Sequence, residues 1–95
     1  MGPFTAGAIA YAPEEAGVYG LFLSSELIYL GSAAGGPGAG LRDFLARHQQ
    51  GGFGACTALA TQYTWEISPF WATREAQLLR EFHVRHRARP RCQAA

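Results

Sequence analysis

Arginine is the residue type whose placement in this chain most plainly suggests chemistry. All eight basic residues are arginines, and there is no lysine. Residues 1 to 79 carry three of them, Arg42, Arg47 and Arg74, against six acids, a net charge of −3. Residues 80 to 95 carry Arg80, Arg85, Arg87, Arg89 and Arg91 against Glu81 alone, a net charge of +4. A planar guanidinium fork matches phosphate oxygens, so a basic end of this kind suits a polyanion. It equally suits a solvated helix end whose cations complement the dipole. His83 and His86 within this segment stand at a zinc-like spacing, but no third or fourth ligand accompanies them. Gly31–Gly40 reads as a flexible loop, and its part Gly35–Gly40 has the composition of a phosphate loop without Gly-Lys-Ser/Thr or a matching G-x-G-x-x-G. Cys56 and Cys92 form no C-x-x-C pair and read as two isolated thiols. Four further polar side chains, Tyr19, Tyr29, His48 and Glu75, are individually unremarkable. Alone they read as two strand aromatics, a packing histidine and a first-turn glutamate that suits the helix dipole.

The elements that must position these residues follow from periodicity. Gly17–Leu23 (GVYGLFL) reads as a strand and Leu27–Leu30 (LIYL) as a second, joined by a short polar turn into a hairpin. After the glycine loop, Leu41, Phe44, Leu45 and His48 fall at i, i+3, i+4 and i+7, one face of a helix over residues 41–48. Ala55–Thr61 has no clear period and reads as an irregular or briefly helical link. Gln62–Ser68 alternates Tyr63, Trp65 and Ile67 as a half-buried strand. A second helix is predicted from about Ala72 to Arg87, capped by Thr73, with Ala76, Leu79, Phe82 and His83 inward and Pro90 ending it. Trp65 and Trp71 suit packing, with base stacking as the alternative. The expected fold is α/β (α+β): a small three-stranded antiparallel sheet flanked by helices, in the order β-β-α-β-α. The 95 residues suit one domain, 1–95, with residues 1–15 as an N-terminal arm packing Phe4 and Tyr11. No apolar run approaches the roughly 20 residues that span a bilayer. The start lacks a basic n-region and carries Glu14 and Glu15, unlike a secretory signal. The expectation is a cytoplasmic, reduced protein with no membrane partner.

In this order the motifs form a recognisable set. Gly17-Val18-Tyr19 and Tyr29-Leu30-Gly31 lie on the two strands of one hairpin. Leu41-Arg42-Asp43-Phe44-Leu45-Ala46-Arg47-His48 follows a loop, Arg74-Glu75-Ala76-Gln77-Leu78 opens the second helix, and Pro90-Arg91-Cys92-Gln93 closes the chain. Over roughly residues 16 to 93 the sequence resembles the GIY-YIG nuclease family. The resemblance implies metal-dependent hydrolysis of DNA phosphodiester bonds. Tyr19 and Tyr29 would line the site and orient the attacking water, with Gly17 and Gly31 as the motif glycines. His48 would assist by hydrogen bonding or proton transfer, and Glu75 would hold one divalent ion, Mg²⁺ or Mn²⁺. Arg42 would contribute to catalysis. Arg47, Arg80, Arg85, Arg87, Arg89 and Gln93 would contact duplex or branched DNA. Glu81 lies about 240° from Glu75 on a helix, so both cannot face one site; Glu75 shares a face with Leu79 and Phe82 and is preferred.

The sequence departs from the family pattern at two places: Gln93 stands where the family closes on Asn, a mild change of one methylene, and the second is larger. The phosphate-gripping arginine belongs four residues before His48, where this chain has Phe44. Arg42 lies about 200° around the helix from Phe44, whereas Arg47, three residues on, is nearly on its side. Losing a preorganised cation at a transferring phosphate costs several kcal/mol of transition-state stabilisation. The competing function is therefore a nucleic-acid-binding module of the same fold with impaired catalysis. A third reading is an interaction domain that binds no nucleic acid. A homodimer could supply the missing arginine from its partner.

Overall fold

In the computed structural model, which describes residues 2–93, the chain runs β1 (Gly2–Pro3), α1 (Ala6–Ile9), β2 (Gly17–Leu23), β3 (Glu26–Ala33), α2 (Leu41–Gln49), α3 (Ala55–Ala58), β4 (Gln62–Ile67) and α4 (Trp71–His86). The strands form one antiparallel sheet in the order β1-β4-β2-β3. This is an α+β arrangement with four strands rather than the expected three. The extra strand comes from the segment read as an arm. Gly2 and Pro3 pair with Tyr63 and Gln62, and the Phe4 amide donates to the Thr61 carbonyl at 3.0 Å. A proline is tolerated there because β1 is an edge strand. Thr5 then caps α1 by accepting from the Ala8 amide at 3.3 Å. Phe4, Ile9 and Ala12 enter the core, whereas Tyr11 stays 89% exposed and does not pack as expected.

The hairpin carries most of the sheet. β2 and β3 pair from Gly17↔Ala33 to Leu23↔Glu26 across the two-residue turn Ser24-Ser25, with a register shift at Leu21/Phe22. Ser24 adopts φ 57°, the handedness that two-residue hairpins demand. β3 outruns its apolar core LIYL because Gly31, Ser32 and Ala33 continue the ladder against Tyr19, Val18 and Gly17. On one face, α2 buries Leu41, Leu45 and His48 and half-buries Phe44, which is the stripe expected from the spacing. The loop turns into α2 at Gly40, whose amide donates to Asp43 Oδ2 at 3.0 Å. A Cβ at Gly40 would stand 2.2 Å from the Glu14 carbonyl oxygen.

α4 packs against β3 and β2 from the other face. It starts at Trp71, before the Thr73 cap expected from sequence: the Arg74 amide already donates to the Phe70 carbonyl at 2.9 Å, and among the described residues no side chain caps the first turn. Its inner stripe is Trp71, Glu75, Leu78, Leu79 and Phe82, all half-buried. Ala76 and His83, expected inside, are exposed. After Arg87, which takes φ 56°, the chain crosses the outer edge of β3 as a strap. The Cys92 amide donates to the Ile28 carbonyl at 2.7 Å, and the Gln93 side chain both accepts from the Leu30 amide and donates to its carbonyl. Such a strap covers an otherwise exposed strand edge. A Cys56–Cys92 disulfide ties it to α3, so the expectation of two separate reduced thiols does not hold. Among the described residues, no helix is long and apolar enough to cross a membrane.

Candidate active site

The hairpin register explains both motif glycines. Tyr19 sits opposite Gly31, and its ring lies over that residue: a Cβ on Gly31 would stand 2.4 Å from Tyr19 Cζ and 2.8 Å from Tyr29 Cε2. Gly17 is needed because the Glu66 carbonyl of β4 would lie 2.1 Å from a Cβ there. The two glycines thus let the tyrosines and the neighbouring strand approach the backbone closely. The Tyr19 and Tyr29 ring centroids are 6.1 Å apart, and the His48 ring lies 5.5 Å from the first and 4.9 Å from the second.

His48 is the centre of a buried polar chain. Its Nε2 is 2.8 Å from Tyr19 Oη, and its Nδ1 is 2.8 Å from Thr57 Oγ1. His48 and Thr57 are 1% and 4% exposed, so neither nitrogen can turn to water for a substitute. Burial pulls the imidazole pKa down to about 4 and holds it neutral at pH 7. One ring nitrogen then donates and the other accepts, and Thr57 can serve either tautomer because a hydroxyl does both. Burial pushes the Tyr19 phenol up, with Tyr29 and Glu75 adding to the rise and Arg47 opposing it. Tyr29 rises too, through burial first and Glu75 second. Both tyrosines are therefore phenols at neutral pH, and the Tyr19 hydroxyl is placed to donate to His48 Nε2.

The low imidazole pKa carries a stability consequence. Between the ordinary value of 6.5 and about 4, the unfolded chain binds a proton that the folded chain does not. Stability is therefore complete above about pH 6.5 and falls as the pH drops toward 4, by about 3 kcal/mol at 1.4 kcal/mol per pKa unit. Urea unfolding at pH 7.5 and 4.5 measures most of this loss. His48→Gln is expected to flatten the pH dependence, and an unchanged slope in that variant would assign the loss to other groups.

Glu75 reaches the site from the other side of the sheet. Its Oε1 accepts from Ser32 Oγ at 2.7 Å, one residue past Gly31, and its charge acts on both phenols. Oε2 has no hydrogen-bond partner among the described residues. β3 is an edge strand, so the two faces of the sheet meet along its outer side. There Tyr29 opens onto a cleft of about 500 Å³ with Leu79, Arg80, His83, Arg89 and Gln93. Among the described residues, no three of His, Cys, Asp and Glu gather as a ready-made metal site. A single carboxylate with one open oxygen does fit a hard ion that keeps several waters and takes its remaining ligands from a phosphate. It does not fit a closed zinc site, which needs four protein ligands.

The structure gathers Tyr19, Tyr29 and His48, holds Glu75 across β3 on Ser32, and does not bring Arg42 to them. Arg42 Nε donates to the Ala12 carbonyl at 2.8 Å and its Nη1 pairs with Glu14 at 2.8 Å, which fastens the N-terminal segment to α2. Arg47 turns instead over the aromatic pair beside His48. Its guanidinium carbon lies 5.4 Å from the ring centres of both Phe44 and Phe53, which stack on each other at 5.9 Å. Phe53 also lies 4.4 Å from His48. Arg80 and Arg89 line the Tyr29 cleft, and Arg85 and Arg87 lie farther along the same end of the molecule. The Gln93 amide lies on the Leu30 backbone, so it braces the Tyr29-Leu30-Gly31 strand. The sequence reading missed Thr57, Phe53 and Ser32. Thr57 and Phe53 fall in segments without a period, so no pattern marks them.

No family model matches the chain, and neither a curated protein nor a solved structure matches it.

Proposed function

We propose that the protein is a GIY-YIG-type endonuclease that hydrolyses DNA phosphodiester bonds with a divalent metal ion, Mg²⁺ or Mn²⁺. The observation that carries this reading is the buried Tyr19–His48–Thr57 chain placed beside Tyr29 and Glu75. Phosphodiester hydrolysis needs an oriented water, a path for its proton and positive charge at the phosphate. Tyr29, at the cleft, orients the water. In the tautomer whose Nδ1–H donates to Thr57 Oγ1, His48 Nε2 accepts from the Tyr19 hydroxyl, so the proton lost by the water moves to Tyr19 as Tyr19 gives its own to Nε2. A metal ion held by Glu75 supplies charge neutralisation at the phosphate when bound. Arg47 takes over the cation role that the family pattern assigns to the position of Phe44.

A second reading, a DNA-binding module of the same fold without cleavage, is favoured by one observation. Phe44 is built into an aromatic stack and contributes no charge. Incubating supercoiled plasmid with the protein separates the two. The expected result is nicking with Mg²⁺ or Mn²⁺ that disappears in EDTA and in Glu75→Ala. Salt-sensitive gel retardation without nicking would establish the binding module instead. Nicking that survives both EDTA and Glu75→Ala would overturn the metal assignment.

A further inference from the structure

A larger opening, of about 680 Å³, lies away from the tyrosines, between the C-terminal half of α4, the strap and the β2–β3 turn. Its walls include Phe22, Phe82, Arg85, His86, Arg89 and Arg91. We propose that this slot holds a single-stranded DNA segment flanking the phosphate at Tyr29, a proposal that rests on the nuclease reading.

Three observations carry it. The first is charge. The one acid in the wall, Glu26, is paired with Arg91 at 2.6 Å, which leaves Arg85 as a positive charge facing the slot. Arg85 is exposed and has no ion-pair partner among the described residues. The second is the apolar surface among those cations. The Phe82 and His86 rings lie 4.2 Å apart, and Phe22 faces the same space. Guanidinium groups interleaved with aromatic faces are what an unpaired strand needs, phosphates on the first and bases on the second. The third is continuity. Arg89 lines both this slot and the Tyr29 cleft, so the two openings adjoin along α4.

Size selects the form of the ligand. Openings of about 500 and 680 Å³ have the scale of drug-sized sites and take one or two nucleotides each. A duplex would have to ride over the rim, out of reach of the aromatic faces. The wall is also preorganised. The strap is held to β3 through Cys92 and Gln93 and to α3 through the disulfide, so little ordering is needed when a strand enters. The chain end thus becomes a track for an unpaired flank, and the substrate is DNA with a tail or a flap next to the cut.

Fluorescence polarisation of labelled DNA in EDTA, where no cutting competes, tests this with the wild-type protein. The probes are a blunt duplex, the same duplex with a ten-thymidine 5′ tail, and one with a 3′ tail. At least one tail is expected to tighten binding by about tenfold and to steepen the salt dependence. His86→Ala, at an exposed position, is expected to remove most of that advantage while leaving blunt-duplex binding within about twofold, and Arg85→Ala is expected to weaken both probes but the tailed one more, so that it too reduces the advantage. Equal affinity for blunt and tailed probes, or a tail advantage that survives both substitutions, overturns the proposal. Plasmid nicking without a tail advantage defeats the slot alone. A tail advantage lost in both variants, with no nicking of any substrate, supports the slot and defeats the nuclease reading.

Discussion

Replacing Cys56 and Cys92 together by serine is expected to lower the unfolding free energy by about 4 kcal/mol and the melting temperature by about 20 °C. The size follows from the chain entropy of the unfolded state. The bond joins residues 36 positions apart, and closing a loop of that length removes about 4 kcal/mol worth of disorder from the denatured ensemble. For a domain of 95 residues that is a large fraction of a total of about 5–15 kcal/mol. The wild-type protein melted with and without a phosphine reductant should show the same difference, and the double serine variant should be indifferent to the reductant. A shift of only a few degrees in both comparisons would mean that the strap and α3 hold each other without the bond. If the protein works in the cytoplasm, thiol reductants act on this bond continuously, so the reduced form belongs in every activity assay.

The disulfide bears on the site as well as on stability. Cys56 precedes Thr57, which holds His48, and Cys92 precedes Gln93, which braces the backbone next to Tyr29. One covalent bond therefore anchors both flanks of the tyrosine–histidine cluster. Such coupling is invisible in a linear reading, because two cysteines 36 residues apart show neither a metal spacing nor a redox motif.

What was legible in the sequence was what repeats. The strand Gly17–Leu23 matches its expected span, and α2 extends one residue past it, because each has an apolar pattern that one face of the sheet or helix enforces. The pairing of Tyr19 with Gly31 was not legible, because the two-residue turn alone would set Tyr19 opposite Leu30 and the register shift at Leu21/Phe22 moves it by one residue. What was illegible depends on distant partners. β1 is two residues long and consists of Gly and Pro, so only β4 makes it a strand. Leu78 was passed over on α4 because the helix carries apolar residues at both Leu78 and Leu79. Packing on β3 turned the stripe so that both are half-buried and Ala76 and His83 are exposed. At the site, Tyr19, Tyr29, His48 and Glu75 were found by motif order. Thr57, the one buried hydroxyl that completes the chain, sits in a four-residue helix with no period to read.

Arg47→Ala is expected to lower plasmid nicking by about 10²–10³-fold, the usual effect of removing one preorganised positive donor from a developing oxyanion. The assignment rests on where the two candidate arginines go. Arg42 is drawn backwards by Glu14 and the Ala12 carbonyl. Its exposed ion pair is worth at most about 1 kcal/mol, so Arg42→Ala is expected to shift melting slightly and leave nicking within a few-fold. Arg47 lies over the Phe44–Phe53 stack next to His48, and its charge is felt at the Tyr19 phenol. Contact with the aromatic pair limits where the Arg47 guanidinium can go. Arg47→Lys should recover little, because an ammonium offers no paired donor fork. Phe53→Ala keeps the charge and removes half of the platform, so it should weaken nicking less than Arg47→Ala while steepening its loss with salt. The reverse pattern, an active Arg47→Ala and an inactive Arg42→Ala, would mean that Arg42 leaves Glu14 when DNA binds. In that case Phe44 and Phe53 are packing for α2, and the cation enters the site from the N-terminal side.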